Sequence, residues 1–215
     1  MPLLLLATES TGQSFKIMPI TINGNGTVTG ISVGGLPDGI VDTDMIANSA
    51  VTSAKSSGLG GLSEVDQWLN TSDVTGDQEP ITGWARDADS RRNWAAKGTG
   101  MTHSSGIFTF PSTGFWRIHF HFMRRMGDAD TNNSYSIYVD PGTGSYVHMT
   151  ETYGNPHFDS TNRFHNTDTE INIRVANAST WHVKFYCDHV DANEKLYGST
   201  DVAKTYCTFM KLGDL

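Results

Sequence analysis

Residues 115–123 read Phe-Trp-Arg-Ile-His-Phe-His-Phe-Met. Trp116, Ile118, Phe120 and Phe122 fall on one side of an extended chain; Phe115, Arg117, His119, His121 and Met123 fall on the other. A period of two sends alternate side chains to opposite faces of a strand, whereas a helix would scatter these four large groups around its axis. Four bulky apolar side chains on one strand face require a second layer to cover them. The segment therefore constrains the chain to a sandwich or a barrel.

Other segments repeat the pattern. Residues 134–140 place Tyr135, Ile137 and Val139 together and run into a Pro-Gly turn. Residues 146–153 and 169–177 follow, the latter with Ile171, Ile173 and Val175 in line. Residues 181–190 align Trp181, Val183, Phe185 and Cys187, and residues 204–212 align Tyr206, Thr208, Met210 and Leu212. Loops rich in Gly, Asn, Asp, Ser and Thr separate them, as in an antiparallel sandwich or barrel. After residue 63 the only leucines are Leu69, Leu196, Leu212 and Leu215, which rules out a helical bundle.

Composition divides the chain near residue 63. Residues 1–63 hold one aromatic, Phe15, and ten glycines; the remainder holds the other 21 aromatics and all eight His. A segment with so few large side chains cannot fill its own core, so it is either a loose leader or is ordered by neighbouring copies. Within it, residues 20–33 alternate apolar and polar groups around an Asn-Gly turn signal. Asp42 or Thr43 is placed to cap a short helix ending near Asn48. Ile22, Val28, Ile31, Val33, Ile40, Val41, Met45, Ile46 and Val51 are the apolar candidates for an attachment and trimer-stalk seam.

Charge excludes further classes. The formal net charge is −8, and the longest basic runs are the pairs Arg91–Arg92 and Arg124–Arg125, so no nucleic-acid-binding stripe exists. The four leucines at 3–6 lack a basic flank and are too few for a membrane span, so neither signal peptide nor membrane insertion is expected. Without a secretory route, the Asn-x-Ser/Thr triplets at Asn25, Asn70, Asn132 and Asn177 are expected to stay unglycosylated. Cys187 and Cys207 are expected to be reduced and buried.

Two passages go beyond pattern. From Gly106 the chain reads Gly-Ile-Phe-Thr-Phe-Pro-Ser-Thr-Gly-Phe-Trp, and its last strand reads Lys-Thr-Tyr-Cys-Thr-Phe-Met-Lys-Leu-Gly from Lys204. Residues 64–215 thereby resemble the globular heads of complement-type and tumour-necrosis-factor-like proteins. That resemblance implies an all-β, ten-strand jelly-roll sandwich assembled as a homotrimer. In it, a strand turns through Pro-x-x-Gly into the long inner strand, and the C-terminal strand lies beside the N-terminal one. From Asn25, Asn-Gly-Thr-Val-Thr-Gly-Ile-Ser-Val-Gly-Gly-Leu-Pro-Asp-Gly-Ile-Val-Asp-Thr-Asp-Met-Ile-Ala, followed by Ala-Val-Thr-Ser-Ala-Lys from Ala50, resembles the connectors of bacteriophage tail fibres. No collagen Gly-X-Y stalk precedes the head, unlike the animal proteins.

Catalytic signatures are missing: there is no Gly-x-Ser-x-Gly, phosphate-cradling Gly loop, His-Glu-x-x-His or Cys-x-x-Cys. His119 and His121 share one strand face, and in a trimer six imidazoles near the axis could hold a structural metal; the alternative is polar or stacking residues on a surface or subunit interface. Residues 128–133 begin like a calcium loop, but Asn133 stands where Gly is required and Val139 where Glu is required, so an EF-hand is excluded. Irregular calcium binding or a simple polar turn remain. No other cofactor is expected. The receptor-contact candidates lie in aromatic, polar loops: Asp128, Asp130, Asn132, Asn133, His157, Phe158, Arg163, Phe164, His165 and Tyr197.

The resemblances imply a non-enzymatic phage tail fibre on the surface of the virion. Residues 1–63 would contact other virion proteins and intertwine in the trimer, and residues 64–215 would bind a host surface glycan or protein. A head or neck fibre or a capsid decoration without a receptor role is the alternative. A glycan depolymerase would need paired carboxylates in a groove, and the sequence suggests none. If chain direction follows the family, the C-terminus lies at the base and residues 126–133 and 198–203 at the far tip.

Overall fold

The computed structural model describes residues 62–87, 96–126, 133–154, 163–188 and 194–215, together with the two short strands β1 (Thr21–Ile22) and β2 (Val28–Thr29). Two compact units divide the chain, Met1–Ser57 and Gly58–Leu215. In the first, β1 and β2 pair antiparallel, with Ile22 opposite Val28. Ile31, Val33, Ile40, Val41, Met45, Ile46 and Val51, and the short helix expected before Asn48, lie outside the described residues.

The second unit is all-β among its described residues. Its strands are β3 (Val65–Asn70), β4 (Trp84–Arg86), β5 (Thr102–Ser104), β6 (Ile107–Thr109), β7 (Gly114–Met126), β8 (Asn133–Pro141), β9 (Val147–Gly154), β10 (Arg163–Val175), β11 (Trp181–Asp188), β12 (Lys195–Leu196) and β13 (Tyr206–Gly213). One sheet has the order β10-β7-β13-β3-β4, with β12 added on β7; the other runs β5-β6-β11-β8-β9. All pairings within these sheets are antiparallel. Two facing five-stranded sheets make the expected ten-strand jelly roll, and β12 is an extra two-residue strand.

The core is aromatic. Trp116, Ile118, Phe120 and Phe122 are buried as the alternation in β7 requires, and they meet Phe108, Phe185 and Phe209 from other strands. Phe120 and Phe185 have ring centroids 4.7 Å apart, and Phe108 and Phe209 5.1 Å. Such pairs add about 0.5–1.5 kcal/mol beyond area burial. The Gly of the Pro-x-x-Gly turn has a steric reason. Gly114 sits at φ 146°, and a Cβ there would lie 2.5 Å from the Gly213 carbonyl oxygen. Cys187 and Cys207 are free and buried, and burial pushes the Cys187 thiol up to about 12.

Two expectations need correction. In β13 the shared face of Tyr206, Thr208, Met210 and Leu212 points outward, and Cys207 and Phe209 fill the core. Apolar content was about equal on its two faces, so only packing selects the inner one. β10 begins at Arg163 rather than 169, because β7 supplies a ladder partner for every residue from Arg163↔Met126 to Val175↔Gly114.

β3 lacked a clear pattern for a related reason: it carries a carboxylate at a core position. Asp66 is 1% exposed, and Arg86 binds both its oxygens at 2.9 Å. The Trp68 indole N–H and the Met101 backbone N–H also donate to Asp66 Oδ2. Four donors offset its desolvation and tie β3, β4 and the approach to β5 together.

Candidate functional site

The alternation that buries one face of β7 leaves Arg117, His119 and His121 on the outer face of its sheet. Register arranges their neighbours in rows. Asp168, His121 and Tyr206 form one row; Glu170, His119, Thr208 and Gln67 form the next. Asp168 Oδ1 lies 2.9 Å from His119 Nε2 and 2.7 Å from His121 Nδ1. Both imidazoles therefore direct an N–H at one carboxylate oxygen, which sets their tautomers. The His121 ring stacks on Tyr206 with centroids 4.7 Å apart, and Arg117 pairs with Glu170. The two His side chains are only 22% and 18% exposed, although they stand on an outer sheet face.

The sequence thus placed His119 and His121 on one face, while their shared partner Asp168 comes from another strand. Among the described residues, no group of three or more His, Cys, Asp or Glu is arranged to hold a metal ion. The pair is hydrogen-bonded to the Asp168 carboxylate. Elsewhere, His148 Nε2 lies 3.0 Å from Ser136 Oγ, but Ser136 is fully buried and offers no nucleophile to a substrate.

A second cluster lies at one end of the sandwich. Met126 pairs with Arg163, Asn133 with Gly154 and Ser134 with Asp188, so the strand ends flanking 127–132, 155–162 and 189–193 come together there. Ser199 bonds Asn70 at the same end of β3, whereas Gly213 pairs with Phe115 at the opposite end of β7. The segments expected at the tip are thus rooted away from the C-terminus. Asp128, Asp130, Asn132, His157 and Phe158 are outside the described residues, and Arg163 is placed by its backbone alone.

The remaining contact candidates differ from one another. Asn133 is corrected from surface to interior: it is fully buried, and its Nδ2 donates to Glu194 at 2.8 Å. Beneath the same end Arg124 is buried, facing the Tyr135 hydroxyl at 3.5 Å. Phe164 and His165 belong to β10 rather than to a loop. His165 turns partly inward, and burial together with the positive charge of Arg124 lowers its pKa. Phe164 points outward at 59% exposure, with its ring 5.4 Å from that of Tyr197. Phe164 and Tyr197 are 33 residues apart, and the β10-β7-β12 ladder joins them.

A third feature lies where the edges of the two sheets meet. Val139, Pro141, Val147, Met149, Ile173 and Trp181 line an open groove of about 310 Å³ with Asn172 and Arg174 at its side. Val147 and Met149 are exposed. The groove carried no local sequence signal, and the pairing of the two contact candidates Phe164 and Tyr197 did not either, since residues distant in the chain make both.

No protein-family model matches the sequence, and neither does any curated protein. Solved structures do. Eiger TNF from S. frugiperda superposes with a TM-score of 0.54 at 9% identity, over 70% of this chain and 93% of that one. Murine APRIL, in a crystal structure at pH 5.0, follows with a TM-score of 0.49 at 13% identity, over 69% and 98%. The C-terminal unit is therefore a TNF-like jelly roll in fold.

Proposed function

We propose that the chain is a structural fibre protein of a bacteriophage virion whose jelly-roll unit self-associates as a homotrimer and binds a host surface glycan or protein. The observation that carries this reading is the outer face of the β10-β7-β13-β3 sheet. Its side chains are drawn together as at a partner-facing surface: His119 and His121 are shielded, Tyr206 and Met210 are half-buried, and Phe115 and Leu212 are exposed. A second copy supplies the missing cover for these groups and for the apolar groove at the sheet edge. The resemblance of residues 25–55 to fibre connectors supports attachment of the N-terminal unit to other virion proteins. Three heads per fibre and several fibres per particle turn modest affinities into firm adhesion, and no enzymatic step enters this reading.

Light scattering tests the assembly, with a trimeric mass expected and a monomeric mass at micromolar concentration counting against it. Virions carrying a tag on the head test the location. Labelled tails agree with a tail fibre; labelled capsids with bare tails would make the protein a head or neck fibre.

A further inference from the structure

We infer that the outer surface around Phe164 and Tyr197 is a binding subsite for an acidic glycan, specifically a sugar carrying a ring carboxylate. The inference rests on the receptor-binding reading above and narrows its ligand. Cross-strand register sets Phe164, Arg125 and Lys195 side by side on β10, β7 and β12. Lys195 Nζ lies 4.8 Å from the Tyr197 ring centroid, and Lys204 Nζ approaches the same ring to 5.0 Å. Two ammonium groups thus flank the Tyr197 ring, and Arg125 stands beside Phe164 in the ladder, in a chain whose formal net charge is −8. Asp73 anchors this edge, accepting from Lys195 Nζ at 2.5 Å and from the Gly198 backbone N–H at 3.1 Å.

The two rings are tilted by 39°, which forms a shallow platform rather than a closed stack. A pyranose has an apolar C–H face suited to such a platform, and a carboxylate on its edge fits the ammonium groups of Lys195 and Lys204 beside it. Local positive charge on an acidic protein selects an anionic ligand and steers it to this end. Nucleic acid shares the charge, but it is gripped by a long basic groove, and among the described residues the cations placed here are Arg125, Lys195 and Lys204. Phe164 and Arg125 share the outer face with Asp168 and His121 but lie four residues further along β10 and β7, toward the end where Met126 pairs with Arg163.

The test uses the full 215-residue chain. Binding is measured to a uronic-acid polysaccharide, the same polymer after carboxyl reduction, a polyglycerol phosphate and single-stranded DNA. Saturable binding to the uronate polymer is expected, weakening with added salt and lost on carboxyl reduction. Phe164→Ala is expected to weaken it about ten-fold, and the double variant Lys195→Ala/Lys204→Ala by more. Tyr153→Ala, on the other sheet, should leave it unchanged. Unchanged melting of the variants separates lost contact from lost fold. Binding that survives carboxyl reduction or the double lysine variant would overturn the inference, as would equal or tighter binding to the phosphate polymer or to DNA. If no acidic polymer binds but the soluble protein still blocks phage adsorption, the inference fails and the receptor reading stands. If it neither binds nor blocks, both fail.

Discussion

The two faces of β7 share a backbone and alternate residue by residue, yet they obey different rules. The inner face packs Trp116, Ile118, Phe120 and Phe122 against the other sheet and is closed to solvent. The outer face gathers Arg117, His119 and His121 into pairs with Glu170 and Asp168 at the surface. Burial on the first face is complete within one chain, so its energetics are those of folding. On the second, the polar network is satisfied locally while apolar neighbours such as Phe115 and Leu212 stay exposed, so in the proposed assembly its energetics would belong to association. One strand carries both faces because its period of two separates them.

Mutation should break this contrast most strongly from the inside. Phe120→Ala removes a fully buried ring in contact with Phe122, Phe185 and Trp84, and should cost about 3–5 kcal/mol in urea unfolding. A loss below about 1 kcal/mol would mean the two sheets do not share one packed core. Gly114→Ala strains the turn that leads into β7, through its positive φ and the Gly213 oxygen 2.5 Å from the new Cβ. The expected loss is about 2 kcal/mol, read from the same denaturation curve.

Acid should act on an inner imidazole. His103 packs on Phe108 at 4.6 Å and accepts a hydrogen bond from the Gly106 N–H, and burial lowers its pKa below the ordinary 6.5. A depressed folded value means stability is present above pH 6.5 and is lost as pH falls through the folded pKa. His103→Phe should flatten that acid limb in pH-dependent melting; an unchanged limb would assign it to other groups. The smallest effect on the fold is expected from the outer face. Met210→Ala should change intrinsic stability by no more than about 0.5 kcal/mol. It should still shift the mass distribution in sedimentation toward smaller species, if this face is the seam.

Legibility in the sequence followed locality. The strands β7, β8 and β11 announced themselves because each alternates within nine or so residues, and the Gly-x-Phe-Thr-Phe-Pro passage resembled a known turn that the structure reproduces between β6 and β7. β3 did not, since Asp66 holds a core position and is stabilised by Arg86 and the Met101 N–H, 20 and 35 residues away. β12 is two residues long and exists because β7 offers an unpaired edge beyond β13. The candidate sites divide in the same way. His119 and His121 were visible as a pair, whereas Asn133 looked like a polar turn residue and proved to be the buried partner of Glu194. A short polar side chain reads the same in a loop and in a satisfied interior.

By itself, the sequence determined that the C-terminal part is a β-sandwich or barrel with an aromatic interior. Alternation and side-chain size are local properties, and they leave no other way to hide four large groups from one strand. Tertiary structure alone decided which face of β13 turns inward, that Asp168 joins His119 and His121, and that Phe164 meets Tyr197 among Arg125, Lys195 and Lys204. Each of these depends on the register between strands distant in the chain, which is set by the summed packing of two whole sheets rather than by any one segment.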